Sequence, residues 1–194
     1  ATRLNPQRLV TALWNGAKGT IIVAVACAIA GLIIGTIQVT GIGDRFTSMM
    51  VSVSGGHLII GLLFAMIAAI ILGMGMPTSA AYVLMVALVI PGLIKIGVPT
   101  LPAHMFAYYF AMLSLVTPPV AIASYVAAGI AGSSMTKTSW ASMRVAAAAY
   151  IVPFMFVFSL PLLFVGSLFE IILATITALI GVYALAIGLQ GWGF

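Results

Sequence analysis

Residues 104–131 read HMFAYYFAMLSLVTPPVAIASYVAAGIA, an uncharged apolar stretch interrupted at its centre by Thr117-Pro118-Pro119. Each proline lacks a backbone donor and clashes with the turn before it, so no continuous helix passes through the pair. In hydrocarbon, the carbonyls freed by such a break cost several kcal/mol each unless protein, trapped water or a bound ion satisfies them. A second interruption, Gly73-Met74-Gly75-Met76-Pro77-Thr78-Ser79, lies in another apolar run. Broken helices at membrane depth mark ion or substrate pathways, and two of them on one short chain point to a transporter.

The chain is 64% hydrophobic and only 5% charged. A soluble domain covers its surface with about 25% charged residues, so this is an integral membrane protein. Runs of about 20 apolar residues match a hydrocarbon core about 30 Å thick, which makes the fold class all-α. The alternating strands of a membrane barrel are missing from the sequence. Seven Lys/Arg stand against Asp44 and Glu170, a net charge of +5. The basic residues are scattered singly between apolar runs, a pattern of membrane topology rather than of nucleic-acid binding. Cys27 is the single cysteine and reads as a small buried hydrophobe. The chain opens on Ala1 and ends directly after an apolar run, so it is read as part of a longer polypeptide.

Residues 1–18 read as an amphipathic interfacial arm, with Leu4, Leu9, Val10, Leu13 and Trp14 near one helical face. Residues 19–40 form a first span, and 46–56 a short connector. Residues 57–97 would reach about 60 Å as one helix, too far for a single crossing, so they fold back at 73–79. The result is either a re-entrant hairpin with a buried tip or two complete spans. Residues 104–131 make one interrupted span, 141–165 another, and 168–189 the last. Pro91, Pro153 and Pro161 read as kinks. If 104–131 crosses once, Arg3, Arg8, Lys18, Lys137 and Arg144 lie inside, while Arg45 and Lys95 lie outside with both acids. That balance follows the positive-inside rule, whereas a hairpin at 104–131 would reverse it.

Each break sets hydroxyls beside freed carbonyls: Thr78 and Ser79 at the first, Ser114 and Thr117 at the second. Neutral oxygens of this kind suit a weakly held monovalent ion such as Na⁺. Ca²⁺ normally requires carboxylates, and neither break carries one. The amides that open the helix at Thr78-Ser79 can also face an anionic substrate group. Met76, Pro77, Thr78, Ser79, Thr117 and Pro118 border the breaks and are the candidates for substrate contact. His57 and His104 sit at expected span entrances and read as interfacial or capping residues, with proton handling the alternative. Tyr82, Tyr108, Tyr109 and Tyr125 flank the breaks and read as packing between helices.

The run LGMGMPTSAAYVLMVALVIPGLIKIGV, followed by HMFAYYFAMLSLVTPPVAIASYVAAGIAG, resembles the large membrane subunit of TRAP (tripartite ATP-independent periplasmic) transporters. It is most similar to the fused permeases of the TAXI branch, which also tend to carry a last span like 168–189. The resemblance covers roughly residues 5–165 and corresponds to the second of the family's two inverted repeats. It implies an elevator-type, Na⁺-coupled importer of organic acids, fed by a periplasmic solute-binding protein, in the cytoplasmic membrane of a bacterium or archaeon. It makes 57–97 a re-entrant hairpin and 104–131 a discontinuous helix, with a Na⁺ site at Gly75, Thr78, Ser79, Ser114 and Thr117. No other cofactor and no enzymatic activity are implied. Many relatives carry a bulky apolar–acid pair after the tip glycine, where this chain has Gly75-Met76-Pro77. The first repeat and the small membrane component are expected on sequence outside this chain.

Two other classes compete. A channel or non-transporting scaffold would use its broken helices for packing only. An intramembrane hydrolase would need a reactive pair, and the sequence has no HExxH, no GxSxG and no paired intramembrane carboxylates.

Overall fold

The computed structural model describes residues 5–191, which form helices and short turns with no strand among them. The expected arm and first span are one continuous helix, α1 (Pro6–Thr40), with no division near Lys18. Pro6 brings a preset φ to its first position, and Gly41 ends it with a left-handed φ of 68°. No proline lies near Lys18, and single glycines such as Gly16 and Gly19 cost a helix only about 1 kcal/mol each. At 1.5 Å per residue its 35 residues extend about 52 Å, so α1 projects beyond its membrane-crossing part. Arg3 and the rest of residues 1–4 lie outside the described range.

The connector expected at 46–56 is instead part of a helix, α2 (Ile42–Ser54). Thr47, Met50 and Ser54 recur at helical spacing and form its buried face. The hairpin follows: α3 (Leu58–Gly73), a turn at 74–77 and α4 (Thr78–Lys95). Both α2 and α1 lie against α4. Pro91 sits inside α4 without ending it. The carbonyl that Pro91 leaves without its helical donor, on Ala87, is close to Gly43 of α2, where a Cβ would lie 3.5 Å away. Gly92 admits Met50 more closely still, since a Cβ there would be 2.5 Å from Met50 Cε. Between helices surrounded by lipid such close packing, rather than removal from water, supplies the attraction.

Helix α5 (Thr100–Leu113) begins one turn before the expected start, which places His104 inside it rather than at an entrance. His104 Nδ1 pairs with the Tyr82 hydroxyl of α4 at 2.7 Å. After the break, α6 (Ile122–Ala131) packs on α7 (Met135–Val145) and does not return along α5. Residues 141–165 are not one straight span. A 3₁₀ turn (Ala147–Tyr150), α8 (Val152–Phe158) and a second 3₁₀ turn (Leu160–Leu163) follow α7, and the chain bends by 61° between α7 and residues 147–158. Pro153 has no N–H for the Ala149 carbonyl, which favours the tighter 3₁₀ path before it. Finally α9 (Leu168–Gln190) starts from a capping box in which Ser167 and Glu170 satisfy each other's backbone amides.

The packed centre joins Leu62 of α3, Met85 and Leu93 of α4, and Phe106 and Phe110 of α5, all essentially inaccessible. Phe154 of α8 closes one side of it edge-on to both phenylalanines, at ring separations of 5.3 and 6.1 Å.

Candidate functional site at the two helix breaks

The interruptions meet in space. Gly73, the last residue of α3, lies so close to Ser114, the first residue after α5, that a Cβ on Gly73 would fall 2.6 Å from Ser114 Oγ. Gly75 adopts φ 78° at the turn, and a Cβ there would be 3.8 Å from Val120 Cγ1. The left-handed φ favours glycine at Gly75, and the close approach to Ser114 requires it at Gly73. The hairpin tip is thereby set directly against residues 114–120.

The break itself is rich in acceptors. Ser114, fully buried, donates its hydroxyl to the Ala111 carbonyl at 2.7 Å. Thr117, 6% exposed, donates to the Leu113 carbonyl at 2.6 Å and also meets the Tyr150 hydroxyl. The Leu115 carbonyl takes the Ala123 amide, and the Pro119 carbonyl takes the Tyr125 hydroxyl. The carbonyls of Val116 and Thr117 receive no hydrogen bond from any described residue, nor do those of Met74 and Gly75 at the tip. Free carbonyls on both sides of a close contact are what a cation shell or ordered water requires.

The candidate residues divide by location. Gly75 and Ser114 lie at the contact between tip and break. Thr78 and Ser79 open α4, whose N-terminus has no side-chain cap. The Ser79 hydroxyl turns toward α1, accepting from the Cys27 thiol at 3.6 Å. Thr117 faces the 3₁₀ turn at Tyr150, and Pro118 is half-buried beside it. Met76 packs its side chain against the core. Among the tyrosines, Tyr82 stacks edge-on with Tyr108 at 5.4 Å, and Tyr109 with Phe156 at 6.0 Å. A crevice of about 440 Å³ lies elsewhere, between α8 and α9, lined chiefly by apolar side chains such as Phe154 and Phe158.

Two features escape the sequence. Tyr150 carries no motif, and only the chain's return past α5 reveals its contact with Thr117. Ser124, in the first turn of α6, is 2% exposed and its hydroxyl has no partner among the described residues. An unpaired buried hydroxyl costs about 1–3 kcal/mol. Ser124→Ala is therefore expected to leave thermal stability unchanged or raised. A loss of more than about 1 kcal/mol in a denaturation curve would show that the hydroxyl has a water or ion partner.

Fold and site together define a helical membrane protein in which two uncharged helix breaks lie in contact. The family description "Tripartite ATP-independent periplasmic transporter, DctM component" matches residues 1–171. The chain belongs to this family, the large membrane component of TRAP transporters. The family is one of transporter components, not of enzymes. No curated protein and no solved structure gives a match.

Proposed function

We propose that the chain is the second inverted repeat of a TRAP permease that imports small carboxylates together with Na⁺. In this reading residues 57–97 are a re-entrant hairpin, 104–131 a discontinuous helix crossing once, and the two move as one elevator unit. The placement of α6 on α7 rather than back along α5 supports the single crossing. The substrate arrives from a solute-binding protein outside a bacterial or archaeal cytoplasmic membrane. An inverted first half and a small membrane component, separate or fused, complete the permease.

The observation that carries the proposal is the contact of Gly73 and Ser114, which sets two uncharged, carbonyl-bearing breaks against each other. Asp44 and Glu170 are both exposed and lie on other segments, so the site is built from neutral oxygens. Such a site holds Na⁺ weakly enough to release it and does not meet the charge requirement of a divalent ion. The uncapped N-terminus of α4 adds amides suited to a carboxylate.

Selective ion binding tests this directly. The complete purified permease should melt at higher temperature in Na⁺ than in K⁺ or choline at equal ionic strength. At a hundredfold excess over the dissociation constant the stabilisation is about 2.7 kcal/mol. Equal melting temperatures in all three salts up to molar concentration would contradict the proposed Na⁺ site.

A further inference from the structure

The Thr117 hydroxyl has one proton, and the geometry shows where it goes. Its partner at 2.6 Å is the Leu113 carbonyl, which can only accept. Thr117 Oγ1 is therefore the donor in that bond and must be the acceptor in the other, 2.5 Å from the Tyr150 hydroxyl. The phenol proton of Tyr150 points at Thr117. A hydroxyl oxygen has two lone pairs, so one is occupied by Tyr150 and one is left free.

Tyr150 is itself held from several sides. It closes the 3₁₀ turn that precedes α8, and its ring lies 6.3 Å from that of Phe110 on α5. Phe154, one turn further on, packs edge-on against the same phenylalanine at 6.1 Å. The break in residues 114–121 is thus attached to the α5–α8 aromatic cluster through Tyr150. It also meets the hairpin tip, through Ser114 and Val120.

We propose that Tyr150 is a positioning residue of the ion site: by donating to Thr117 Oγ1 it fixes the single lone pair that Thr117 can offer to a cation. This rests on the Na⁺ reading given above. Tyr150 touches no ion itself in this arrangement, and acts through Thr117. Loss of the phenol oxygen leaves Thr117 bonded to Leu113 but lets water compete for its oxygen.

The test compares Tyr150→Phe, Thr117→Val and the double variant in the complete permease, assayed for Na⁺-dependent uptake in proteoliposomes with its binding protein. Phe keeps the ring against Phe110, so the fold is preserved. Tyr150→Phe should raise the Na⁺ concentration for half-maximal uptake by about 3- to 10-fold with little change in maximal rate. In the Thr117→Val background the same substitution should have no further effect on the Na⁺ dependence, because its target oxygen is gone. An unchanged half-saturation in Tyr150→Phe, or an undiminished effect in the Thr117→Val background, would overturn the proposal while leaving the Na⁺ reading intact. Uptake by the unsubstituted permease that ignores Na⁺ would overturn both.

Discussion

Gly73→Ala is expected to abolish most transport and to lower the stability of the permease by about 1–3 kcal/mol, the range for forcing a methyl group into a packed contact. The new Cβ would sit 2.6 Å from Ser114 Oγ and 2.9 Å from Ser114 Cβ. A rotamer change moves the hydroxyl but not the Cβ, which is fixed to the backbone at the end of α5. The tip and the break must therefore separate. Ser114→Gly removes both obstacles, so the double variant Gly73→Ala/Ser114→Gly should lose much less than the sum of the two single losses. Thermal denaturation of the four proteins of this cycle gives the coupling. Strict additivity would mean that the close approach of tip and break is not a feature of the folded permease.

Thr117→Ala carries the second large effect, on ion dependence. It removes the donor to Leu113, the acceptor for Tyr150 and the remaining lone pair at once. The two lost hydrogen bonds lower stability by about 0.5–1.5 kcal/mol each. Loss of an ion ligand acts separately, raising the Na⁺ half-saturation about tenfold for every 1.4 kcal/mol of binding. The expected result is a Na⁺ half-saturation at least about tenfold higher, whereas Thr117→Ser, which keeps the hydroxyl, stays near the parent. Lower melting temperature with unchanged Na⁺ dependence would assign Thr117 to structure alone.

What was legible in the sequence follows from strong local constraints. Pro118-Pro119 forbids a continuous helix, and the break between α5 and α6 falls there. The length of 57–97 forbids one crossing, and the chain turns where Gly73, Gly75 and Pro77 allow it. Weaker signals were lost. The helical spacing of Thr47, Met50 and Ser54 sits among serines and glycines, which hid α2 behind the look of a loop. No proline follows Lys18 within α1, and Gly19 alone does not stop a helix, so the change from amphipathic to apolar sequence marks no boundary. From sequence Pro153 reads as a simple kink; in the structure α8, which contains it, is flanked by two 3₁₀ turns and follows a 61° bend.

The site was legible only as two lists of polar residues. Nothing local tells that Ser114 meets Gly73, that Ser79 meets Cys27, or that Thr117 meets a tyrosine 33 positions away. Those pairings depend on how α1, α4, α5 and α8 pack. They divide hydroxyls of one expected cluster among three different neighbours.

Transport itself tests the central claim, that the two facing breaks form a Na⁺-coupled carboxylate site. The complete permease is reconstituted into proteoliposomes with its binding protein, and uptake of a labelled carboxylate is followed under an inward Na⁺ gradient. The account predicts concentrative uptake that needs both the binding protein and Na⁺ and that collapses when K⁺ replaces Na⁺. Concentrative uptake of the same size in K⁺, or uptake indifferent to the binding protein, would contradict it.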